Sequence, residues 1–188
     1  MAEVDKAGRR LLAMVDDILR ITAVTQADEQ IVRQAVDLQA AIEVAVQASE
    51  ALRLSRRVRL TWARGLEAAS VGAHEELLQE CLRRLFDCVF RSTSVGSDVR
   101  MAYHRLADRV VLRLEAPGWP GSVAAEDSWL SPSSSHSAGL GLALVDALAQ
   151  RMEGRLGVSR LEAGGAALEL SLPIVQAPHP PGLEPRGG

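Results

Sequence analysis

The chain has 188 residues, enough for one domain plus an appendage. Nearly half of them (47%) are apolar, which suffices for a core, and a formal net charge of −3 gives no ground for nucleic acid or an anionic membrane as a partner. No apolar run approaches the roughly 20 residues that span a bilayer, and the N-terminus lacks a signal-peptide pattern, which points to the cytoplasm. In chain order, Leu11, Leu12, Val15, Ile18, Leu19 and Thr22 recur at helical spacing and predict an amphipathic helix over about residues 5–24. Ile31-Val32 is a short strand candidate. Val36-Asp37-Leu38 then opens a second helix, with Asp37 as its N-cap, running to about Leu54. Val58 to Trp62 alternates like a strand. Leu77, Leu78, Cys81, Leu82, Leu85, Val89 and Phe90 mark a third helix over roughly 74–92. Strands near 98–104 and 109–115 follow, turning at Ala107-Asp108, and residues 117–138 form a long loop. The expected architecture is α+β, a two-layer sandwich with helices covering one face of a mostly antiparallel sheet.

The cysteines carry little chemistry. Cys81 and Cys88 lie two helical turns apart, about 10 Å along the axis, too far for a disulfide. Neither belongs to a metal-ligand spacing, and the four histidines are scattered. Arg53, Arg56, Arg57 and Arg59 read as a solvated edge at a helix–strand junction, and His136 as a solvated loop histidine. Ser131, Ser133, Ser134, Ser135 and Ser137 suit a flexible polar lid better than phosphosites.

The most informative stretch is 137–173. Gly139 and Gly141 flank Leu140, after which Leu142, Leu144, Val145, Leu148 and Met152 follow at helical spacing. A Gly-x-Gly turn opening a helix bares backbone N–H groups at the positive end of its dipole, where a phosphate can rest. Beyond Glu153-Gly154, a strand around Leu156-Gly157-Val158 leads through Gly164-Gly165 to a second strand ending at Leu172-Pro173. This order resembles the C-terminal half of the ATP-binding domain of sensor histidine kinases, the GHKL or Bergerat-fold ATPases. The box Ser137-Ala138-Gly139-Leu140-Gly141-Leu142 stands for that family's last glycine-rich box, its first glycine replaced by serine.

The resemblance extends along most of the chain. Residues 10–19 look like the second helix of a dimerisation hairpin, and Val36-Asp37-Leu38 matches the usual opening of the ATPase domain. It implies a partial hairpin helix over 1–26, a Bergerat-type ATPase domain over 27–175 and a disordered Pro/Gly-rich tail over 176–188. The family's phosphoaccepting histidine has no counterpart, since no histidine occurs before His74. Autophosphorylation in the usual way is therefore not expected of these residues.

ATP and magnesium are the ligands that the resemblance implies, and the boxes that would hold them depart from the pattern. Aligned on Arg91-Ser92-Thr93, the two family asparagines are Arg84 and Cys88, and the second of those positions holds the magnesium ion in the family. A thiol is a poor partner for a hard cation that prefers oxygen. Asp87 lies one position off, about 100° around the helix. In the adenine box, Ala116 stands at the family's aspartate and Gly118 at its first glycine. A shift of one residue would bring Glu115 to the aspartate position, and Trp119 with two prolines would fill vacated space. Losing a buried acceptor there costs about 1–3 kcal/mol of binding.

The resulting expectation is a degenerate, catalytically impaired ATPase domain, a pseudokinase. Its vestigial nucleotide pocket comprises Gly139, Leu140, Gly141, Leu142, Gly118, Asp87, Cys88 and Ala116, with no catalytic or metal residue. It would act in two-component-type signalling through a protein partner, namely a histidine kinase, a receiver domain or a second copy, docked on helix 5–24. One alternative is an ATP-binding fragment of an active kinase, with Asp87 or Glu80 improvising the metal site. Another is a serine-kinase switch resembling the anti-sigma-factor kinases of the same superfamily.

Overall fold

The computed structural model describes residues 32–62, 69–119 and 137–175, together with Val15, Leu19, Thr22 and Ala23, which are helical. Val15, Leu19 and Thr22, three members of the predicted N-terminal stripe, are exposed; apart from these and Ala23, the expected 5–24 helix lies outside the described residues. The first strand among the described residues is β1 (Gln34–Asp37); Val32 of the expected Ile31-Val32 strand lies before it, and Ile31 is outside the described residues. A strand needs a partner, and here that is β3 (Ser70–Ala73), unannounced in the sequence, whose register runs from Gln34↔Ala73 to Asp37↔Ser70. Asp37 ends β1 and caps α1 (Leu38–Ala48), its carboxylate accepting the Ala40 N–H at 3.1 Å. Leu38, Ala41, Ile42 and Ala45 form the buried stripe of α1. The single helix expected to Leu54 is divided at Ser49, and α2 (Glu50–Ser55) follows. Ser49 is buried, and its hydroxyl donates to Asp87 at 2.9 Å, a long-range contact invisible to helical periodicity.

After β2 (Arg59–Trp62) and β3 comes α3 (Glu75–Ser92), whose seven buried residues include Phe86 and Phe90, stacked with centroids 5.9 Å apart. Glu75 and Glu76 in its first turn and Arg91 in its last complement its dipole. Arg56 closes its far end by donating to the Arg91 and Thr93 carbonyls. The hairpin β4 (Asp98–Leu106) and β5 (Arg109–Ala116) turns at Ala107-Asp108, as the sequence predicts. Helix α4 (Ser137–Arg151) and the hairpin β6 (Arg155–Arg160) and β7 (Ala166–Pro173) complete the order, with Gly164 and Gly165 at positive φ in the final turn.

The main sheet runs β2-β4-β5-β7-β6, antiparallel except for the parallel β2–β4 pair. Period-two alternation turns Val99, Met101, Leu112, Leu114, Leu168 and Leu170 toward the helices, where they form one core with residues of α1, α3 and α4. Arg100, Arg113, Glu169 and Arg155 lie on the other face. The fold is the two-layer α+β sandwich expected. Among the described residues, no helix is long and apolar enough to cross a membrane.

One buried carboxylate joins the layers. Asp146 of α4 accepts the Leu156 N–H at 2.9 Å and the Gln150 amide at 2.6 Å. Leu156 sits on edge strand β6, so Asp146 satisfies a donor that the sheet cannot. Replacing Asp146→Ala should cost about 1–3 kcal/mol in urea unfolding, and Asp146→Asn, which keeps an acceptor oxygen, distinctly less. Hydrogen exchange at the Leu156 amide should accelerate in the alanine variant first.

Candidate nucleotide pocket

Helices α3 and α4 run antiparallel along the site. Cys88 near the end of α3 meets Gly141 near the start of α4, and the Cys81 thiol, two turns back, donates to the Val145 carbonyl at 3.6 Å. A Cβ on Gly141 would collide with the Cys88 sulfur and, among the described residues, with nothing else. Gly141 therefore lets a thiol sit against the helix, in the position where the resembled family places its metal-holding asparagine. Both cysteines are free thiols. Burial, with Asp146 and Glu80 adding to it, pushes the Cys81 thiol well above its ordinary range, which leaves it inert.

The glycine-rich box is not a turn that precedes the helix. Helix α4 already begins at Ser137, so Gly139 and Gly141 occupy its first turns, Leu140 is half-buried and Leu142 is core. Gly139 is the third residue of the described helix. His136 and Ser131 to Ser135 lie outside the described residues.

Asp87 does not turn toward α4. Its two oxygens accept from Ser49 at 2.9 Å and Arg83 at 3.3 Å. Glu80 is similarly engaged, by Arg83 at 2.7 Å and by Arg84 at 2.9 Å. Its spacing to both arginines is that of neighbours on one helix surface, so this cluster is legible in the sequence, unlike the Ser49 contact. Burial alone would raise the Glu80 pKa, but the hydrogen bonds from Arg84 and Arg83 outweigh it and hold the carboxyl below its ordinary value. The donor at the position aligned with the family's metal-holding asparagine is thus a thiol, and the helix's Asp87 and Glu80 carboxylates are already held by other groups. That set does not fit magnesium, which takes near-octahedral oxygen ligation.

At the adenine end, Ala116 is the last residue of β5, fully buried and paired with Ala166. Glu115, the alternative acceptor, lies on the opposite sheet face, bonded to Arg113 at 3.1 Å. Residues 116–119 form a tight turn closed by the Trp119 N–H donating to the Ala116 carbonyl at 3.1 Å. Ser94 fastens this turn by donating to the Gly118 carbonyl through its N–H at 2.7 Å and its hydroxyl at 2.8 Å. Gly118 packs so closely on the α3–β4 connection that a Cβ there would strike Ser97 and lie 3.0 Å from Thr93 Oγ1. The Thr93 hydroxyl is buried without a hydrogen-bond partner among the described residues. Trp119 is half-buried against the core, and Pro120 lies outside the described residues.

No family model and no curated protein matches this sequence. Solved structures do. The Acinetobacter baumannii histidine kinase AdeS superposes with a TM-score of 0.69 at 20% identity, over 86% of this chain and 77% of that one. Full-length ShkA, solved in complex with AMPPNP, gives 0.76 at 21% identity, over 94% of this chain and 38% of that one. A nucleotide-free catalytic domain of the histidine kinase ThkA gives 0.67 at 15% identity, over 76% and 97%. The fold is that of a histidine-kinase ATPase domain.

Two outcomes follow from the pocket. Gly141→Ala alone should gain little or lose stability, because the new methyl meets the Cys88 sulfur; in a Cys88→Ala background it should stabilise by about 1 kcal/mol, the ordinary helical advantage of alanine over glycine. A double-mutant cycle on urea midpoints reads the coupling. Because the folded-state pKa of Glu80 lies below its unfolded value, the stability it contributes is present above the ordinary carboxylate range and lost as pH falls through the folded value. Urea unfolding at about pH 6 and about pH 3.5 should therefore show a smaller acid loss in Glu80→Gln than in the parent, by less than about 1 kcal/mol for so solvent-accessible a cluster.

Proposed function

We propose that this domain is a degenerate histidine-kinase-type ATPase domain, a pseudokinase that acts in two-component-type signalling by protein contact and binds ATP weakly or not at all. The observation that carries this reading is the Cys88 thiol set against Gly141, where the fold's metal chemistry needs an oxygen donor. Ala116 supports it from the other end, since it presents no acceptor to an adenine amino group. The eight residues of the vestigial pocket are reached from α3, α4 and the end of β5, but their polar members are committed to intramolecular contacts. Asp87 is held by Ser49 and Arg83, and the Gly118 carbonyl by Ser94.

The partner in this reading is a histidine kinase, a receiver domain or a second copy of the chain, held through the helix at 5–24, with homodimerisation as one outcome. A second reading, an ATP-binding fragment of an active kinase, is favoured by one feature, the early turns of α4 with glycine at 139 and 141. ShkA was solved with AMPPNP on the same fold. In that case the polyphosphate would rest on those turns.

Calorimetric titration of the chain with ATP, with and without magnesium, separates the two. No saturable binding up to millimolar ATP, weaker than about −4 kcal/mol, is the expected result. Micromolar, magnesium-dependent binding that a Gly139 or Gly141 substitution abolishes would establish the second reading.

A further inference from the structure

The sheet face turned away from the helices carries a groove unrelated to the nucleotide boxes. Strand register lines up Val111, Ser171 and Arg155 across β5, β7 and β6, and in the next row Arg113, Glu169 and Gly157. Between these rows and the Glu153-Gly154 turn that precedes β6 lies an open cavity of about 440 Å³. Its floor is Val111, Gly157 and Ser171, and its rim is Arg109, Arg155, Glu153 and Glu169.

The charges at this groove do not cancel. Glu169 is engaged by Arg113, and the Glu153 carboxylate by Arg33 at 2.5 Å. Each rim acid thus already has an arginine. Arg109 gives its hydrogen bonds to neutral oxygens, the Ser171 hydroxyl at 2.6 Å and the Glu153 carbonyl at 2.6 Å, which hold its guanidinium in place. Arg155 is exposed and makes no ion pair among the described residues. Arg109 and Arg33 thus share the single Glu153 carboxylate and Arg155 has none, which leaves positive charge in excess on either side of Ser171, on a chain whose net charge is negative.

We infer that this groove docks an acidic segment of a partner protein, with Asp or Glu side chains of that segment meeting Arg155 and Arg109. Guanidinium–carboxylate pairing supplies the directed, bidentate contact. Gly157 leaves edge strand β6 bare on this face, so a peptide backbone can lie low over it. The mode is docking on the face, not strand addition at the edge, because the edge-facing Leu156 N–H is already taken by Asp146. A carboxylate suits the rim better than a phosphate, since Glu153 and Glu169 repel a concentrated dianion more than a single charge. The inference gives the protein-contact reading a surface, and it lies on the opposite side of the sheet from the pocket. Magnesium-dependent ATP binding would end that reading and leave the groove result standing; a silent groove would leave that reading intact.

The test is titration of the full chain with a hexaglutamate peptide at low ionic strength, followed by amide chemical shifts. The expected result is saturable binding, with shifts clustered at Val111, Gly157 and Ser171. Arg155→Glu and the milder Arg155→Gln should each weaken it, the former by about tenfold or more, with unchanged circular dichroism. Arg59→Glu, at the opposite edge of the same face, should leave the affinity within about twofold. Absence of binding, shifts centred on Arg83 and Arg84, or equal affinity in the Arg155 variants would overturn the inference. So would displacement of the peptide by an equal concentration of inorganic phosphate.

Discussion

The approach of α3 to α4 at Cys88 and Gly141 is the constraint on which the candidate site depends. With no side chain at 141, a sulfur can lie against the helix backbone, and the two helices close over the sheet as one layer. That closeness lets Cys81 reach the Val145 carbonyl and places Asp146 of α4 over the edge strand. The same contact sets the local chemistry, because the Cys88 thiol fills the space that the missing Gly141 side chain leaves.

Most of the chain's conspicuous charge is committed to architecture. Arg56 closes the end of α3, Arg53 joins Glu50 to the Val58 carbonyl, and Arg83 and Arg84 converge on Glu80. These groups are part-buried and tied, which makes them poor instruments for an incoming ligand. The contrast with Arg155, exposed and unclaimed, distinguishes structural charge from charge that remains available for recognition.

Helix α3, the central hairpin and the final hairpin were legible because each repeats a period within a few turns of sequence, and Asp37 announces a helix start through its own side chain. The Bergerat layout came from a family pattern, not from periodicity. What stayed hidden has one physical character: it depends on partners distant along the chain. Strand β3 is four residues with no alternation of its own and exists because β1 lies beside it. The break at Ser49 answers to Asp87, 38 residues away. Asp87 itself could be placed on a helix from sequence, but its direction follows from Ser49 and Arg83. The start of α4 at Ser137 likewise moved two glycines from a turn into a helix.

The small sheet has a consequence for how the domain assembles. A bridge between Val71 and Ile174, with the Val175 N–H donating to the Ser70 carbonyl at 3.1 Å, ties the strand pair nearest the start of the described body to the residues just after its last strand. Closing such a ring requires nearly the whole intervening chain to be in place, and the entropy of so large a loop is lost before the contact returns anything. The hairpins β4–β5 and β6–β7 close short loops, whereas the β1–β3 and parallel β2–β4 pairings close longer ones and are expected to form more slowly. By that entropy the contacts of Ser70 and Val71 with Ile174 and Val175 are expected among the later ones to form, so the described body closes at its seam.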